Sequence, residues 1–247
     1  ILLGMSQRQL ASYFPLENVL RGITNYFGDY FSIDISTKES SKLWSSQAQI
    51  LEWKRNGKPI GHVIYDPFQH STRQNLNVSC AHIKPRYADN TPTMLISCPY
   101  MVDPSTRAAH LNISEVLDLH HCFAIVLQNF LNNFKFYELN VSSALEYDTL
   151  DLLPYLCTAH LFKDHKILQS FSSRVSQSKT IDSELSHRIT KALHYSRPLN
   201  LWRTLYKAHL DLELNSTMTS SHNLANEIFT IYSPFERFKH NYDYCAM

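Results

Sequence analysis

Glycine is scarce, with five residues in 247. So few leave no glycine-rich loop to cradle a phosphate, and they suit a chain that is mostly helix. The five cysteines, at positions 80, 98, 122, 157 and 245, are odd in number, scattered and without C-x-x-C spacing. That pattern favours a reduced interior compartment over a disulfide framework. Net charge is also missing: 23 basic residues face 22 acidic ones, a formal +1. Nucleic acid and anionic lipid are therefore not expected as partners. No apolar run is long enough for a bilayer, so no membrane span is expected. Neither a charged leader nor a cleavage pattern follows the first residue, Ile1. The chain is expected to be a processed product or a piece of something longer. Four N-x-S/T sequons, at Asn77, Asn112, Asn140 and Asn215, read as chance matches in a chain whose cysteines do not speak for secretion.

What the chain does have is aromatic surface. Tyr and Phe together number 27, while charged residues make up only 18%. Part of that surface is expected to face a partner rather than water. The length supports a full core, read as one domain over 1–247. Residues 1–33 form an entry segment, with a helix over 6–30 in which Pro15 suits the first turn and Leu16, Val19, Leu20, Ile23 and Phe27 make one stripe. Residues 34–46 read as a polar link. A β-rich part follows over 47–102, with strands at 47–53, 60–66, 76–84 and 93–102. Asn56-Gly57 marks a tight hairpin between the first two. From 113 to 247 the pattern is helical, broken near 140–146, 176–180 and 215–220. Leu199, Trp202, Leu205, Tyr206, Leu210 and Leu212 stripe one helix; Leu224, Ile228 and Ile231 stripe the last. The fold class is α+β, mainly α: a small antiparallel sheet beside a larger helical bundle.

The stretch 112–128 organises the rest. Val116, Leu119, Phe123, Leu127 and Phe130 recur at helical spacing, Ser114 is the expected N-cap, and His120-His121 sits in the middle. No His-x-x-x-His occurs anywhere in the chain, so no two histidines share a helix face four residues apart as a zinc-binding H-E-x-x-H requires.

Several segments, in order, resemble the catalytic domain of the zinc oligopeptidase family of thimet oligopeptidase and mitochondrial intermediate peptidase. Tyr13–Leu20 is similar to its entry helix. Gly57-Lys-Pro-Ile-Gly-His-Val-Ile-Tyr-Asp66 is similar to its G-x-x-I-G-x-x-Y-x-D strand, and Tyr65–Gln69 resembles mitochondrial intermediate peptidase most. The helix at 113–128 falls where the family has V-x-x-L-F-H-E-F-G-H. Tyr147–Pro154 falls where it has D-F-V-E-V-P-S, and Phe238–Asp243 resembles the start of its tyrosine-rich motif. The resemblance implies a zincin-like peptidase domain.

In that family pattern two histidines and a later carboxylate hold zinc, and the Glu between the histidines is the general base. Laid on this chain, the first ligand position is His121, the base position Cys122, the second ligand position Ile125 and the third Asp151. Ile carries no lone pair, and His121 with Asp151 leaves two ligands where catalytic zinc uses three. Zinc is therefore expected to be lost and no residue is expected to be catalytic. Read without the resemblance, His121 is a core histidine with hydrogen-bonded nitrogens, Cys122 a small buried hydrophobe, and Asp148 and Asp151 caps of the next helix. Tyr65, Tyr100, Tyr242 and Tyr244 are the candidates for touching a peptide or partner; for Tyr242 and Tyr244, packing or disorder is the favoured reading.

The family also carries a long helical domain before this region and a helical tail after it, and the surface they would cover is expected to be a protein interface. The function expected is a catalytically inactive, metallopeptidase-like docking or structural subunit. By the resemblance, its assembly is mitochondrial and its partners are other protein subunits. One alternative is a peptide-binding module that adds an extended chain to an edge strand at 93–102, against which Pro99 counts. The other is an active zinc oligopeptidase with its missing ligands supplied from elsewhere.

Overall fold

The computed structural model describes residues 4–38, 43–69, 77–87, 90–104, 108–134, 136–140, 146–172, 180–216 and 221–233. The chain forms two compact units, one ending at His187 and the other beginning at Arg188.

The first unit opens with two helices where one was expected. α1 (Gln7–Ala11) starts from a Ser6/Gln9 capping box, and α2 (Leu16–Phe31) starts after Pro15, which is the N-cap residue rather than part of a continuous helix. A proline here lacks the N–H that α1 would need in order to run on. Backbone bonds from Leu16 N to Ala109 O (2.9 Å) and from Leu111 N to Phe14 O (2.8 Å) tie this break to the segment entering the central helix.

Five strands follow: β1 (Ile33–Lys38), β2 (Gln49–Arg55), β3 (Lys58–Phe68), β4 (Ser79–Lys84) and β5 (Thr93–Tyr100). β1 occupies part of the expected polar link. It is an edge strand whose Ser, Thr and Lys face outward while Ile33 is buried. The β2–β3 hairpin turns at Asn56 and Gly57, both at positive φ (51° and 73°), as a two-residue turn of this hand requires. The sheet order is β1-β2-β3-β5-β4. β3 and β5 run parallel, with Tyr65 opposite Ile96, so the sheet is mixed and not antiparallel throughout. β5 is paired on both sides. The edge strand expected at 93–102 is thus interior, and β1 and β4 are the edges.

α3 (Ile113–Leu131) lies against the sheet, capped by an Asn112/Glu115 box rather than by Ser114. Trp53 of β2 is fully buried among Phe27, Phe123 and Phe130, at 5.6–5.7 Å between ring centroids. Gly61 of β3 lies directly under the Phe130 ring, where a Cβ would overlap it. The short helices α4 (Tyr147–Leu150), α5 (Leu152–Lys163) and α6 (His165–Ser170) complete the packing.

α7 (Ser183–Ser216) carries the chain into the second unit, where α8 (Ser221–Tyr232) follows. There Tyr206, Leu210, Leu224, Ala225 and Ile228 form a small core. Leu205, Leu212 and Ile231, expected in the apolar stripes, are exposed. The side chain of Leu199, and Leu76 at the expected start of β4, lie outside the described residues. The protein is α+β and mainly helical, with a five-stranded sheet among the described residues. No helix among the described residues is long and apolar enough to cross a membrane.

Candidate functional site

Helical periodicity sorts the middle of α3 into three faces. Val116, His120, Phe123 and Leu127 point into the core, each at or near zero exposure. Asp118, His121, Ile125 and Gln128 share a second face, turned toward α4 and α5. Gln128 Nε2 donates to Leu150 O at 3.0 Å, and His121 Nε2 stands 3.7 Å from Asp151 Oδ1. Cys122 belongs to the third face, with Asn129, whose side-chain oxygen meets His82 of β4 at 3.0 Å.

The histidine of the core is therefore His120 and not His121. His120 is wholly buried against the rings of Tyr26, Phe27 and Phe171. Neither of its ring nitrogens has a hydrogen-bond partner among the described residues. Burial pushes its imidazole down to about 3, with smaller pushes from His121 and His160. The stripe at 116, 120, 123 and 127 was the signal in the sequence that could have placed it. His121 is half-exposed, its ring 5.7 Å from that of Tyr155. Beside it, burial raises the Asp118 carboxyl more than His121 lowers it.

Asp151 links α4 to α5 but makes no side-chain cap bond; its carboxylate turns to His121 instead. The Asp148 side chain lies outside the described residues. The two positions thirty residues apart that would hold a metal from either side are thus brought together. Cys122 is 6% exposed, and burial pushes its thiol up to about 12. Ile125 is half-buried one turn beyond His121 and adds only hydrocarbon to that face. A catalytic zinc takes three protein ligands and an open position. His121 and Asp151 fit two of those roles, and no third residue among the described ones joins them. Among the described residues, no three His, Cys, Asp or Glu side chains converge as a metal site.

Of the tyrosines expected to touch a partner, Tyr65 and Tyr100 are 1% and 3% exposed and present no surface. Both point inward from β3 and β5, and Tyr100 donates to Glu115 O at 3.4 Å. Tyr242 and Tyr244 lie outside the described residues. A surface that the sequence did not single out lies next to His121. Leu152, Tyr155 and Leu156 of α5 are 60%, 66% and 59% exposed.

Comparison with known proteins gives this arrangement its context. The model of peptidase family M3 matches residues 2–243. Mitochondrial intermediate peptidase from Vanderwaltozyma polyspora is 19% identical over 255 residues, covering 93% of this chain and 32% of its own length. The chain thus spans about a third of that relative. With nearly its whole length matched by the family model, this chain belongs to peptidase family M3.

Proposed function

We propose that this chain is a non-hydrolytic member of its family, in which a peptidase domain serves as a docking subunit for other proteins. The observation that carries this reading is the layout of α3. At the second ligand position Ile125 has no donor atom, and at the base position Cys122 carries a buried thiol in place of a carboxylate. Removing a general base alone costs roughly 10²–10⁴ in rate, and losing a ligand weakens the metal that would supply the nucleophile. Zinc is accordingly not retained. The docking role rests on α5, which is mostly apolar, with Thr158, His160 and Lys163 its polar residues, yet keeps Leu152, Tyr155 and Leu156 in solvent. A cluster of large apolar side chains on one helix is ordinarily covered. The name of the yeast relative makes a mitochondrial assembly the first place to look.

Two measurements on the purified protein test this together: metal content after dialysis, and cleavage of short quenched peptides. The expected result is substoichiometric zinc and no cleavage above background. One zinc per chain, with cleavage abolished by Asp151→Asn, would establish the zinc oligopeptidase reading instead.

A further inference from the structure

Viewed down its axis, α5 gathers its exposed residues onto one strip. Leu152, Tyr155, Leu156 and Ala159 stand in solvent at i, i+3, i+4 and i+7, and exposed Lys163 follows at i+11. At about 100° per residue, these five fall within about 100° of the helix circumference. Pro154, Cys157 and Leu161 lie on the opposite side and are buried. The spacing of the strip is the one by which a helix packs against another helix.

The strip is also matched to itself. Turned end for end about a point between Tyr155 and Leu156, it sets Leu152 opposite Ala159 and Tyr155 opposite Leu156. At each step a larger side chain then meets a smaller one. Its two ends differ in charge. Glu146 stands exposed at the start of α4, toward the N-terminal end. Lys163 and Lys166 stand exposed at the C-terminal end, where the Asp164 carboxylate is taken up by the Lys166 N–H at 3.0 Å. In the turned arrangement each basic end comes to the other copy's acidic end, twice over, and the two helix dipoles run opposed.

We propose that the exposed strip of α5 binds the same strip of a second copy of this chain, antiparallel about a two-fold axis. The inference rests on the reading of α5 as a docking surface and names its occupant. Two strips this short bury less area than a permanent dimer needs, so the pair forms and parts with concentration.

The test is sedimentation velocity of the purified full chain over a concentration series at low salt. The expected result is a monomer–dimer equilibrium. Leu156→Glu, placed on a side chain already in water, should weaken it by about tenfold. Lys163→Glu and Glu146→Lys should each weaken it by about fivefold, because each change breaks two symmetry-related pairs. Combined in one chain, the two reversals should restore it. A chain that stays monomeric throughout, a dimer indifferent to Leu156→Glu, or a double reversal that regains nothing would overturn the proposal. Those outcomes leave the non-hydrolytic reading standing, since that reading fails on zinc content and peptide cleavage instead.

Discussion

His120 is a costly residue for the fold to retain. A buried imidazole with neither nitrogen bonded forfeits hydration without replacement, a penalty of about 1–3 kcal/mol. The family pattern has Phe at this position, and the surrounding rings would accept one. His120→Phe should raise stability by about that amount in urea denaturation. The histidine also sets a pH dependence. Its folded value, near 3, lies below the ordinary 6.5, so the unfolded chain binds the proton that the folded chain refuses. The neutral-pH stability is therefore intact above about 6.5 and falls as pH drops from there toward 3, by at most about 1.4 kcal/mol per pH unit from this group. Comparison of denaturation midpoints at pH 7 and pH 5 should show the loss in the native sequence and a smaller loss in His120→Phe. A second residue-scale outcome concerns the metal. Restoring both missing groups with Cys122→Glu and Ile125→His should give a chain that retains zinc through dialysis while its parent does not. If the rebuilt chain binds none, the His121–Asp151 geometry has also drifted. The His121–Asp151 pairing was legible only through the family resemblance, because nothing local links positions thirty residues apart. The burial of His120 was legible in principle, because its spacing from Val116 and Phe123 is that of the core stripe.

At the scale of elements, the strongest local signals carried furthest. Asn56-Gly57 marked a hairpin because two successive residues at positive φ are rare outside such turns. β1 was hidden by its outward Ser, Thr and Lys side chains, which an edge strand can carry and a linker shares. The direction of β5 was invisible, since alternation shows that a strand exists and not which neighbour it joins. Two substitutions probe the elements that position α3. Asn112→Ala removes a capping box and should cost about 1 kcal/mol, read as a lower thermal midpoint. Gly61→Ala pushes a methyl into the Phe130 ring and should cost about 1–3 kcal/mol, with the Trp53 emission shifted as its aromatic neighbours move.

For the whole molecule, the exposed apolar side of α5 is at odds with an isolated chain. Charging it with Leu152→Glu and Leu156→Glu should leave unfolding free energy within about 0.5 kcal/mol, because both side chains already stand in water. The same change should reduce the binding of an apolar-surface dye to the folded chain, and unchanged dye binding would move the apolar docking surface off this helix.

The position of β4 also bears on how the chain folds. Fourth in sequence but outermost in space, it pairs in the sheet only with β5. Its antiparallel ladder with β5 joins residues 9 to 18 apart and can close as a hairpin, whereas the β3–β5 ladder joins residues 31 to 32 apart and closes at the greater entropic cost. During synthesis the fourth strand must wait, unpaired, for the fifth to emerge.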